Sequence, residues 1–159
     1  IKLANNVVKA HSQGAGFVVI TGGEPLHHDL TNLCKIIRQR TLSVKGESIP
    51  IHIETSGVDK ITGQPDWITL SPKRHALPKE EVLNLCNELK IVVHEKEDLV
   101  FAETMARASA TVSSTNQQPL LFLQAGWNNS IGAKLALEHV KKNPKWRLSV
   151  QTHKLLGIL

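Results

Sequence analysis

The sequence predicts an α/β fold built on a parallel sheet, and three observations carry that expectation. Short apolar runs rich in β-branched residues recur at residues 17–20, 49–53, 67–70, 89–93 and 120–123, each too short for a helix and read as a buried strand. Segments of helical period lie between them, and alternation of the two periods is the mark of β-α units. Polar and charged residues gather just after the runs, where a parallel sheet brings all its strand ends to one edge.

Taken in order, the first run, Phe17-Val18-Val19-Ile20, ends at a glycine pair. Residues 29–40 follow, with Leu30, Leu33, Cys34 and Ile37 at i, i+3, i+4 and i+7, one apolar stripe of a helix. After the second run, residues 56–66 hold two glycines and a proline and are read as a loop with no room for a packed helix. Residues 79–88 repeat the helical stripe with Val82, Leu85, Cys86 and Leu89. A weaker pattern covers residues 96–108, and residues 113–119 read as a polar connection into the fifth strand. Ser130 is a suitable N-cap for a helix carrying Ile131, Leu135 and Val140, and Trp146 to Val150 alternates as a strand near an edge would.

Composition bounds what such a chain can do. It has 159 residues, 41% hydrophobic and 21% charged, enough to bury a core without disulfides or a structural zinc. Two cysteines, Cys34 and Cys86, exclude a multi-bridge framework, a CxxC zinc site and a Cys-ligated cluster within this chain. No apolar run reaches membrane-span length and no secretory leader opens the sequence, so the expected compartment is the cytoplasm, with no membrane partner. The first residue is Ile1, not Met, as in a piece of a longer chain. The net charge of +5 admits nucleic acid or an anionic metabolite, but aromatics are only 4% and the basic residues are scattered. A solvated basic surface is therefore preferred to a nucleic-acid groove.

The chemistry gathers in the post-strand segments Thr21-Gly22-Gly23-Glu24-Pro25, Glu54-Thr55-Ser56-Gly57, Ser71-Pro72-Lys73, Gln124-Ala125-Gly126 and Gln151-Thr152-His153-Lys154. The glycine pair is either a tight turn or a place where backbone approaches a ligand while Glu24 accepts from an ammonium group. Glu54 ends an apolar strand, where an unpaired carboxylate is costly, so it is paired, solvated or bound to a ligand. Lys90, inside a strand, reads as a counter-ion rather than a base. The eight histidines include no HxxxH or HExxH spacing, which argues against zinc. His153, past the last strand, is the one that stands out. Cys34 and Cys86 fall on apolar helix faces and read as buried thiols.

In this order these motifs resemble the 7-carboxy-7-deazaguanine synthase family of radical S-adenosylmethionine (SAM) enzymes. The resemblance rests on Val18 to Pro25, His28-Asp29-Leu30, Ile53 to Gly57, Trp67 to Lys73, Asn87-Glu88-Leu89-Lys90, Leu123-Gln124 and Trp146 to Lys154, and covers essentially the whole chain as the C-terminal part of one radical SAM domain. Gly-Gly-Glu-Pro marks the superfamily; Ser-Pro-Lys and Gln-Thr-His-Lys are more specific. The resemblance implies an incomplete, modified TIM-like barrel. It places Gly23 and Glu24 at the amino-acid end of SAM, lines the SAM site with Ser71, Pro72, Lys73 and the stretch Gln124, Ala125, Gly126 and Trp127, and puts Thr21, His153 and the carboxylate of Leu159, read as the natural C-terminus, on a pterin substrate.

The implied reaction converts 6-carboxy-5,6,7,8-tetrahydropterin to 7-carboxy-7-deazaguanine with loss of ammonia. It uses a 4Fe-4S cluster, SAM and Mg2+, a reductant such as a flavodoxin, and a homodimer as one expected assembly. Two departures stand out: Leu123-Gln124-Ala125 replaces the family's Leu-Gln-Pro, and no cysteine precedes Gly22, so the cluster cysteines and the magnesium ligand are expected upstream of Ile1. The competing readings are another small radical SAM enzyme of the glycyl-radical activase type, and a non-catalytic remnant that binds a nucleoside or pterin.

Overall fold

A computed structural model describes residues 2–112 and 118–158. Most of the expected 113–119 connection, and Leu159, lie outside these residues. Six strands, β1 (Val18–Ile20), β2 (Ile51–Thr55), β3 (Trp67–Leu70), β4 (Glu88–Val93), β5 (Leu120–Ala125) and β6 (Trp146–Ser149), pair in parallel in the order β1-β2-β3-β4-β5-β6. Helices α1 (Lys2–Ser12), α2 (Thr31–Lys45), α3 (Glu80–Leu85), α4 (Lys96–Val112), α5 (Ser130–Lys142) and α6 (Thr152–Leu155) accompany them. The strand order never reverses. With crossovers of one hand, such an order stacks the helices on one face and leaves the sheet open, a partial TIM-like barrel with β1 and β6 at its edges. No described helix is long and apolar enough to cross a membrane.

The two faces of the sheet differ. Ile51, Ile53 and Thr55 on β2, Ile68 and Leu70 on β3, and Leu89, Ile91 and Val93 on β4 are buried under the helices. The alternate residues His52, Glu54, Trp67, Thr69, Glu88 and Lys90 line the opposite, half-open face. The period of two thus sorts apolar residues to the helix side and polar residues to the barrel interior.

Two expectations need correcting, and one helix was not expected at all. The helical stripe over residues 79–88 yields only the short α3, in which Val82 and Leu83 are buried while Leu85 is exposed. Asn87 breaks it: its side chain accepts from Ile68 N (2.8 Å), its own N donates to Ile68 O (3.0 Å), and Leu120 N donates to its carbonyl (2.9 Å). Ladder bonds to two strands outweigh local helical period, so Glu88 and Leu89 belong to β4. The cap of α5 is Asn129, not Ser130; its side chain accepts from Gly132 N (2.6 Å). Helix α1 was not anticipated, because its inward stripe is Ala4, Val7 and the buried His11, too weakly apolar to announce itself.

Glu103 on α4 ties the outer layer together. It accepts from His139 Nε2 on α5 (2.9 Å), Lys145 Nζ (2.7 Å) and the fully buried Trp146 Nε1 at the start of β6 (2.8 Å). Burial alone would raise its pKa; the three donors outweigh it and hold the carboxyl down at about 2. A carboxyl depressed in the folded state stabilises above its unfolded pKa and stops doing so as pH falls through the folded value. Glu103→Gln should therefore cost about 1–3 kcal/mol at neutral pH. Chemical-denaturation curves should show the gap to wild type narrowing between about pH 4.5 and 2; a gap that stays constant with pH would refute the charged role.

Candidate active site

The strand ends converge as the parallel sheet requires. After β1, Gly22 (φ +96°) and Gly23 (φ +57°) are both left-handed, a pair of conformations that L side chains disfavour. They turn the chain so that Glu24 points back at the end of β2. Its Oε1 accepts from Leu26 N (3.1 Å) and the Thr55 hydroxyl, and its Oε2 from Ser56 N (2.7 Å) and the Ser56 hydroxyl. Burial opposes ionisation here, but the donors of Ser56, Thr55 and Leu26 prevail and hold Glu24 below the usual carboxylate range. Four bonds fill the acceptor directions of a carboxylate, so Glu24 braces the glycine turn against β2.

Around this brace lies a cavity of about 320 Å³ bounded by Thr21, Gly23, Glu24, Glu54, Ser71 and Lys73. Ser71 and Pro72 are buried, Lys73 is exposed, and Lys73 Nζ reaches Ser71 Oγ at 3.4 Å. Glu54 pairs with Lys90 Nζ (2.7 Å), whose side chain is only 12% exposed. The sequence left Glu54 open among three fates; the structure pairs it, with Lys90 as its counter-ion. Glu88 shares this wall. Burial, which outweighs the pull of Lys90 and is reinforced by the charge of Glu54, pushes its carboxyl up.

A second cavity, about 510 Å³, lies at the β5–β6 end, between Gln124, Ala125, Gly126 and Trp127 on one side and Leu148 and Gln151 on the other. Trp127 is half exposed, and Lys154 Nζ sits 5.0 Å from its ring centre, joining the β5 loop to α6. His153 is exposed on α6 and borders neither cavity; Leu159 lies outside the described residues.

One residue at this edge was missed. His94 directly follows β4, the strand whose downstream segment the motif survey passed over, so the signal was available in the same positional rule. It lines a third cavity of about 530 Å³ with Pro72, Lys73, Arg74 and Asp98. Asp98 accepts from His94 N (2.8 Å) and Glu95 N (3.1 Å) and pairs with Arg74 Nε (3.1 Å), tying the Ser71–Lys73 turn to the start of α4.

Among the described residues, no group of three or more His, Cys, Asp or Glu side chains is placed to hold a metal ion. Cys34 is buried on α2 as expected, whereas Cys86 is buried in extended backbone just past the end of α3 rather than on its face; burial pushes both thiols up, Cys86 to about 12, so they stay protonated.

No protein-family model matches the chain. It is 54% identical over 168 residues to a 7-carboxy-7-deazaguanine synthase of Prochlorococcus marinus, covering 99% of this chain and 75% of that protein. It is 41% identical over 152 residues to the protein of the same name from Synechocystis sp., covering 96% and 67%. The fold is similar to the crystal structure of QueE from Escherichia coli, with a TM-score of 0.72 at 26% identity, covering 92% of this chain and 61% of that one.

Breaking the interior ion pair should be measurable. Lys90→Met strands Glu54 on a half-open wall and should cost about 1–2 kcal/mol, with Glu54→Gln recovering part of it. Additive losses in thermal melts of the two single variants and the double would show that the pair does not couple.

Proposed function

The chain belongs to the 7-carboxy-7-deazaguanine synthase family, and from that premise we propose that the whole protein converts 6-carboxy-5,6,7,8-tetrahydropterin to 7-carboxy-7-deazaguanine, with loss of ammonia, by radical SAM chemistry. The observation that carries the reading is similarity to proteins of that name along 99% of the chain, joined to the gathering of its motif residues on one sheet edge.

The residues present fit SAM. One cavity offers hydroxyl, carboxylate and ammonium groups for an amino-acid end; the other offers apolar walls and an indole for a nucleoside. In this reading the Gly22-Gly23 turn, held by Glu24, lets backbone approach the amino-acid end, and Glu24, whose acceptor directions are taken by Thr55, Ser56 and Leu26, attracts an ammonium group there through its negative charge. Ser71, Pro72 and Lys73 form the adjoining wall, and Gln124 to Trp127 take the nucleoside. Thr21, His153 and Leu159 hold the pterin, with α6 folding toward Trp127 through Lys154.

The described residues do not fit a 4Fe-4S cluster or a magnesium ion: the two thiols are buried and protonated, and no metal-ligating group of three exists among them. We assign those ligands to the part of the relatives' length that this chain does not span, a quarter of the Prochlorococcus protein. A flavodoxin-type reductant and a homodimeric assembly complete the reading. The protein's own task is orientation and exclusion of water, while the bound cofactors supply the hydrogen-abstracting chemistry.

The full-length protein, reconstituted anaerobically with iron, sulfide, SAM and magnesium, should form carboxydeazaguanine from carboxytetrahydropterin. SAM cleavage without deazaguanine formation would overturn the substrate, and an upstream coding sequence without a triple-cysteine loop would overturn the cluster. His153→Ala should weaken pterin binding about tenfold, the worth of one hydrogen bond, and leave SAM affinity within about twofold. Equal loss of both ligands would make His153 structural.

A further inference from the structure

We propose that His94 is a positioning residue for the nucleoside end of the site, acting through the loop of residues 124–130; the inference rests on the SAM reading above. Four contacts clasp this loop to the end of β4. Gly126 N donates to Val93 O (3.0 Å). A Cβ on Gly132, inside α5, would lie 2.1 Å from Val93 O, so the helix start is pressed against the strand end. Asn129, which caps α5, places its Nδ2 3.4 Å from both His94 Nδ1 and His94 O. The His94 ring lies under Gly126 so closely that a Cβ there would meet its Cε1 at 2.2 Å and its Nδ1 at 2.3 Å.

Gly126 therefore needs no special backbone conformation, since its φ is not in the left-handed region; it is glycine because the ring occupies the space of a side chain. The ring meets Asn129 Nδ2 through its Nδ1 (3.4 Å), and the backbone that carries it is anchored by the bond from His94 N to Asp98 (2.8 Å). Asp98 also grips Arg74, next to Lys73. His94 thus stands between the two segments that line the SAM site, Ser71–Lys73 and Gln124–Trp127, and fixes the height of the second against the first.

The reciprocal fit gives a double-mutant test. His94→Ala removes the support; Gly126→Ala pushes the ring aside with an added methyl group. Both act on one contact, so their effects should not add. Calorimetric titration of the full-length, cluster-reconstituted protein with SAM should show about five- to tenfold weaker binding for each single variant, the cost of ordering a loosened loop on binding. The double variant should fall no further than either single one, and carboxytetrahydropterin affinity should stay within about twofold.

His94→Ala opens space rather than filling it, so it decides the matter alone if Gly126→Ala does not fold in thermal melts. Unchanged SAM affinity in His94→Ala, additive losses, or equal loss of both ligands would overturn the positioning role. A wild-type protein that fails to bind SAM would instead overturn the functional reading itself, and this inference with it.

Discussion

A parallel sheet whose strand order never reverses constrains everything else in this chain. Each strand must return on the same side, so one face is sealed by helices and the other is left to the barrel interior. Each strand must also end on the same edge. Burial of Ile51, Ile53, Leu70, Leu89 and Leu123 at or near zero exposure follows from the first demand. The gathering of Thr21, Glu24, Ser71, Lys73, His94 and Gln124 follows from the second.

Within that frame, polar side chains decide local positions that apolar burial leaves loose. Hydrophobic contact is non-directional and fixes how much surface is covered rather than which atoms meet. Glu24 joins the β1 turn to the β2 end, Asn87 splices the chain into β3 and β5, Asp98 joins the β3 turn to α4, and Glu103 joins α4 to α5 and β6. Each spans elements far apart in sequence. Glu24 and Glu103 are carboxylates held below their usual range because their donors outweigh burial, the signature of a charge used as a structural node. The interior wall behaves differently: Glu88 is pushed up by burial near Glu54, although Lys90 lies close.

Much of the fold was legible because its strands are short, β-branched and bounded by turn residues; the run at residues 67–70 is β3 to the residue. The legible part of the site was the set of motifs after the strands, since edge convergence is a property of topology rather than of side-chain detail. Helix 79–88 was misjudged because Asn87 is recruited by strands 19 and 33 positions away, a pairing that local period does not contain. The position of His94 just after β4 was legible by the same rule, but its significance was not, since that lies in the missing Cβ of Gly126, 32 positions on.

The sequence by itself determined the α/β alternation, the order of the motifs and, through their resemblance, the family. Those are one-dimensional properties, carried by period, composition and spacing. Tertiary structure alone decided that Glu54 meets Lys90, that Glu24 has all four acceptor directions filled by its own chain, and that His94 rather than a side chain at position 126 fills the gap beside the β5 loop. Distances of a few ångströms between residues tens of positions apart depend on how strands twist and helices seat against them, and no local pattern in the chain encodes that.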